Sequence, residues 1–191
     1  GTGRGQRHAC LDAGGGGAAT FLEFQATAAG TGIVAACLRR RMWVFAGGGK
    51  RRLEIENFLR SHPTVRGQLM PYVSHTELRE HLCAADVHLV SLNSAWQGLI
   101  VPSKLQSIFS VGKPVIFVGD RNNEVAIWIS ESGAGWIVAE NDIHGLLQAI
   151  EQARDPIERR ERGRRALAFA EQNFNAHKNC ERIADLLLQD L

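Results

Sequence analysis

The tetrapeptide Val115-Ile116-Phe117-Val118 stands directly behind Gly112-Lys113-Pro114, and no other feature restricts the fold of this chain as strongly. Glycine ends helices in the left-handed conformation and proline cannot continue one, so the apolar run begins a new element. Four consecutive apolar residues without alternation describe a strand covered on both faces, as in parallel sheets flanked by helices. Upstream, Ser103 is a suitable N-cap, Gln106 completes a capping box, and Leu105, Ile108 and Phe109 share one helical face. A helix is therefore expected from Pro102-Ser103-Lys104 to Gly112. Its positive end carries a hydroxyl and an ammonium group beside the carboxyl edge of a sheet, where an anion would bind.

The same grammar repeats along the chain. Trp43-Val44-Phe45-Ala46 reads as a buried strand, Gly47-Gly48-Gly49 as a turn, and residues 50–60 as a helix with Leu53, Phe58 and Leu59 inward. A strand over 65–69 follows. Pro71-Tyr72-Val73 then leads to Ser74, an N-cap with Glu77 in the capping-box position and Leu78 and Leu82 on the buried face. A strand over 87–92 precedes a long loop, 93–101, of the length that usually serves function. Beyond Val118, the spacing predicts a polar turn over 119–123, a helix over 124–130 and a strand over 136–138. A helix capped by Asn141 or Asp142 comes next, with Ile143, Leu146, Leu147 and Ile150 at helical spacing. Asp155-Pro156-Ile157-Glu158 opens another, with Gly163, Leu167, Ala170 and Phe174 along one side. The last helix starts near His177 and turns Ile183, Ala184 and Leu187 inward.

Strands alternating with helices mean βαβ units, hence a doubly wound, Rossmann-like parallel α/β sheet. Ligands of such sheets bind at the carboxyl ends of the strands, where the loops 47–51, 92–104 and 119–123 converge. The well-patterned domain spans residues 42–191. Residues 1–41 are a poorly specified Gly/Ala-rich segment packing on it, because no period persists there and more than half of the chain's 20 glycines fall in the first fifty residues. Within that segment, Gly3-Arg4-Gly5-Gln6-Arg7-His8 would form a phosphate-cradling loop.

Bulk properties narrow the function classes. A formal net charge of +2 argues against a nucleic-acid partner. The basic runs at 39–41, 50–52 and 159–165 read as solvated faces, the last with acidic lipid head groups as its alternative partner. Cys10, Cys37, Cys83 and Cys180 form no C-x-x-C pair, so neither a zinc site nor a disulfide framework is indicated and a cytoplasmic protein with reduced thiols is expected. His75, His81 and His88 lack H-E-x-x-H spacing, and no G-x-S-x-G, P-loop or G-x-G-x-x-G pattern occurs. Glu54, Glu56, Glu77 and Glu80 occupy surface-type helix positions and read as solubility charges.

Five segments in order, WVFAGGGKRRLE (43–54), PYVSHTELREHLCAADVHLVSL (71–92), VPSKLQSIFSVGKPVIFVG (101–119), SGAGWIV (132–138) and ALAFAEQNF (166–174), resemble the C-terminal, nucleotide-sugar-binding domain of family 4 glycosyltransferases of the GT-B fold. Pro-Ser-Lys before the helix is similar to the subgroup that builds polysaccharide and lipopolysaccharide sugars. The resemblance implies hexosyl or N-acetylhexosaminyl transfer of the retaining kind, with a nucleotide diphosphate sugar as donor, a glycan or lipid-linked acceptor, and no cofactor or metal. It assigns the donor site to Lys104, Ser103, Pro102, Gly48, Gly49, Lys50, Tyr72, Val73 and Arg4, and leaves the catalytic residues unassigned. Where the family commonly has two glutamates for the donor sugar and ribose, this chain has Leu99 and Ser107. GT-B enzymes place their active cleft between two α/β domains, so one domain alone is expected to be inactive, and any membrane contact would belong to the full enzyme. The alternatives are half of a nucleotide-sugar 2-epimerase, which shares this architecture, and a non-catalytic sugar-nucleotide-binding module.

Overall fold

The computed structural model describes residues 8–12, 42–47, 52–92 and 103–189. Its centre is a parallel sheet of β1 (His8–Asp12), β2 (Met42–Ala46), β3 (Arg66–Met70), β4 (Val87–Ser91), β5 (Val115–Val118) and β6 (Gly135–Val138), ordered β3-β2-β1-β4-β5-β6. The order reverses between β1 and β4, which makes that pair the switch point of a doubly wound fold. The expected fold class is the one observed. The central strand β1, however, lies in the segment whose sequence carried no strand signal. Its five residues have only a brief apolar alternation and are specified by pairing with β2 and β4 on either side.

Two helical layers cover the sheet. On one face α1 (Arg52–Ser61) and α5 (Ile143–Gln152) bury Trp43, Phe45, Leu89, Ile116 and Val118 with Ile55, Leu146 and Ile150. On the other, α2 (Leu78–Ala84), α3 (Ser103–Ser110), α4 (Glu124–Ser132) and α6 (Pro156–Asn173) enclose Val90, Val115 and Phe117. All four residues of β5 are buried, as the unbroken apolar run predicts. Helix α3 starts at Ser103, and Leu105, Ile108 and Phe109 are wholly inward. Gly112 adopts φ 66° behind it, the left-handed stop expected of that glycine. Asn123, Asp142 and Asp155 cap α4, α5 and α6 through their side chains.

Three local expectations are corrected. Leu53 is 63% exposed and Ile55 is the buried residue of α1, because the stripe Ile55-Phe58-Leu59 follows i, i+3, i+4 and leaves position 53 on the opposite side. Ser74 does not cap α2; its hydroxyl donates to the Glu77 carboxylate at 2.6 Å, and Glu77, already helical in φ and ψ, precedes the helix without a side-chain cap. In α7 (Ala176–Gln189), Ala184 and Leu187 are exposed along with Leu186 and Leu188. An amphipathic pattern names the apolar face but not what covers it.

Helix α6 crosses the amino edge of the sheet as a strap. Arg159 lies 3.8 Å from Asp86, just before β4, and donates to the carbonyls of Ala153 and Arg154 at 2.8 Å. Arg162 donates to the Gly135 carbonyl at 2.7 Å and sits 4.4 Å above the Trp136 ring. Gly163 meets Gly112 just before β5. The inner side of the basic run 159–165 is therefore a fastening, and only Arg160, Arg164 and Arg165 are left as a solvated face.

His88 is buried in β4 on the α2 side, with Nε2 3.0 Å from the Leu82 carbonyl; the neutral ring donates there. Burial lowers its pKa from 6.5 to about 4, against the raising effect of that hydrogen bond, and Lys113 and His81 push it further down. The unfolded chain thus takes up this proton first on acidification. The stabilising contribution of the neutral ring is complete above pH 6.5 and is lost as pH falls towards 4. Over that window the loss is on the order of 3 kcal/mol, at 1.36 kcal/mol per pKa unit. Urea unfolding from pH 7.5 to 4.5 should show a shallower decline for His88→Gln, whose amide can still donate to Leu82; parallel declines would refute the assignment.

Candidate functional site at the carboxyl edge

Because all strands are parallel, one edge of the sheet collects every strand's carboxyl end. The ladder continues past the strand ends: Gly47 N–H donates to Met70, Leu92 to Val118 and Gly119 to Val138, at 3.0–3.1 Å. Gly119 has no room for a side chain, since a Cβ would come 2.6 Å from the Phe117 ring and 2.9 Å from the Leu92 carbonyl oxygen. Behind it Asp120 accepts from the Asn122 N–H at 2.7 Å, and buried Asn123 from the Val125 N–H at 2.9 Å, so the 119–123 turn is held by its own side chains.

Helix α3 presents its first turn at this edge. Ser103 and Lys104 are its first two residues, and Lys104 is half-buried. The glycine-rich segment after β2 leads into α1, whose first residue, Arg52, closes the basic run 50–52 that reads as a solvated face. Arg52 has another task. Its Nη1 donates to the carbonyls of Gly47 at 3.0 Å and Met70 at 3.2 Å, and its Nε pairs with Glu56 at 3.0 Å. The guanidinium ties the carboxyl ends of β2 and β3 together and is thereby occupied.

Beside these strand ends, between β2, β3 and α2, opens a cleft of about 510 Å³. Val44, Met70, Ala85, Tyr72, Val73 and His81 are among the residues that line it. Tyr72 is 71% exposed at the rim. Glu77 and Glu80, read as solubility charges, border the same cleft. Their spacing with His81 and Ala84 marks a shared helical side, but the pattern carries no information about the space facing it. Among the described residues no three His, Cys, Asp or Glu side chains come together as metal ligands, and no helix is long and apolar enough to cross a membrane.

Of the residues assigned from sequence, Ser103 and Lys104 are together at the α3 start, and Tyr72 and Val73 together in the cleft. Arg4, Gly48, Gly49, Lys50 and Pro102 lie outside the described residues, as do Leu99 and the whole 93–101 loop. His8 begins β1 at the amino edge, opposite the edge that carries Ser103.

No protein-family model matches the chain. A probable glycosyltransferase of Pseudomonas aeruginosa, WbjE, is 37% identical over 71 residues, which is 37% of this chain and 18% of that protein. Among solved structures, Anabaena HepE in complex with UDP-glucose superposes with a TM-score of 0.74 at 13% identity over 96% of this chain and 49% of its own. WaaG, a glycosyltransferase involved in lipopolysaccharide biosynthesis, does so with a TM-score of 0.68 at 18% identity over 95% of this chain and 47% of its own. The chain spans less than half of either solved protein. Its strand order, its two helical layers and these superpositions together identify the fold as a doubly wound, Rossmann-like α/β sheet of the kind that forms one half of a GT-B fold.

Proposed function

We propose that this chain is the donor-binding domain of a glycosyltransferase that moves a sugar, with retention, from a nucleotide diphosphate sugar to a glycan or lipid-linked acceptor of the polysaccharide or lipopolysaccharide type. The observation that carries the reading is Lys104 in the first turn of α3, at the carboxyl edge of a GT-B-like half. At such a helix start the dipole and the ammonium charge would both favour a bound anion. The diphosphate would meet Lys104 and the backbone N–H groups at Ser103, with Pro102 beside them and Gly48, Gly49 and Lys50 approaching from the loop after β2. Lys104 would offset charge on the leaving diphosphate as the glycosidic bond breaks, with no metal required. Tyr72 and Val73 would border the base from the rim of the cleft. Arg4 would add a further guanidinium contact to the diphosphate.

The acceptor and the rest of the catalytic machinery would come from a second α/β domain, so the 191-residue chain should bind donor and transfer nothing. It would work in the cytoplasm, where nucleotide sugars are made.

Calorimetric titration with UDP, GDP and ADP tests the site. One of the three should bind, and Lys104→Ala should weaken it by at least about tenfold, the loss of one charge-assisted contact. Unchanged affinity in Lys104→Ala would sink the assignment. Arg52→Met should behave oppositely: stability falls by about 1 kcal/mol in urea unfolding because the hydrogen bonds from Arg52 to the Gly47 and Met70 carbonyls are lost, while nucleotide affinity stays within about twofold. A large affinity loss there would mean that Arg52 leaves Gly47 and Met70 to bind phosphate.

A further inference from the structure

Helix α3 runs from the carboxyl edge of the sheet, at Ser103 and Lys104, towards the amino edge, where Gly112 follows it. Its inward residues Leu105, Ile108 and Phe109 are fully buried, and its contact with α6 is the most extensive between two helices among the described elements. The Phe109 and Phe169 rings meet edge to face at 6.0 Å. Near the lower end of that contact two backbones touch. A Cβ on Gly163 would overlap the Gly112 carbonyl oxygen and stand 3.2 Å from its carbon and 3.7 Å from Pro114 Cδ. Gly112 cannot yield by changing conformation, since its φ of 66° already serves the helix stop, and Pro114 fixes the chain behind it. We infer that Gly163 is a positioning residue for the donor site: its missing side chain sets the seat of α3 on α6 and thereby the height of Ser103 and Lys104 at the carboxyl edge. The inference rests on the donor-site reading for its functional consequence, and on backbone geometry alone for the mechanical one.

Any side chain at 163 must part the two helices by about 1 Å to restore ordinary contact. A close-packed helix passes such a shift along its length instead of absorbing it, and Lys104 is about 12 Å up the same rod at 1.5 Å per residue. Displacements of this size far from the chemistry are enough to spoil binding geometry. Leu146→Ala is the matched control: it opens a cavity in α5 on the other face of the sheet and destabilises the protein without touching α3.

The test compares Gly163→Ala with Leu146→Ala in the 191-residue chain by two readouts. In ¹⁵N spectra, the Ser103 and Lys104 amides should shift in Gly163→Ala and stay in place in Leu146→Ala. Nucleotide affinity should fall about tenfold in the first and remain within about twofold in the second. If the shifts stop at Ile108, or if both variants lose affinity alike, Gly163 has no positioning role. If the wild type binds no nucleotide, the donor-site reading fails, while the amide shifts still decide whether Gly163 seats α3. Should Gly163→Ala not fold, Leu167→Ala removes the α6 side chain that lies beside Gly163 against Gly112 and is judged by the same amides.

Discussion

The structure depends on one requirement, that β5 be buried on both faces. Four apolar residues in succession leave neither side of the strand for water, so a helical layer is needed above and below. Ile116 and Val118 face α1 and α5, and Val115 and Phe117 face α3, α4 and α6. Its neighbours β4 and β6 pair with it in parallel register, His88 with Val115 and Val115 with Gly135. A parallel sheet then sets every loop that follows a strand at one edge, which is why a candidate site can be located before any residue in it is assigned a role.

The opposite edge is where the helices are fastened. Arg159, Arg162 and Gly163 of α6 engage positions just before or at the start of β4, β5 and β6. Two of these are arginines within a run that looks like a charged surface. Their guanidinium groups reach main-chain carbonyls that a lysine would serve with a single donor direction, and Arg162 also covers the face of Trp136. Arg52 does the same at the carboxyl edge for β2 and β3. Positive charge in this chain is thus partly a means of closing strand ends, and counting it says little about anionic ligands.

In the proposed two-domain enzyme, the described residues would supply the donor corner of the site. The α3 start, the strand ends and the cleft beside Tyr72 all open towards the edge at which a partner domain would stand in the proposed enzyme. The absence of glutamates at 99 and 107 leaves the proposed donor contacts with the backbone N–H groups and Lys104, so correct seating of α3 matters more than it would in a site with several independent anchors.

The sequence by itself determined the fold class, the stop at Gly112, the cap at Asp155 and the burial of β5, because each follows from local conformational preference or from periodicity over a few residues. It also indicated Ser103-Lys104 as an anion corner, since a helix start is legible from capping chemistry. Only the tertiary structure decided that His8–Asp12 is the central strand, that Ile55 and not Leu53 faces inward, and that Arg52, Arg159 and Arg162 are spent on main-chain carbonyls. Those outcomes depend on partners far away in the chain. A strand with neighbours on both sides is specified by the neighbours, and an arginine's role by which carbonyls come within its reach, so neither leaves a local pattern to read.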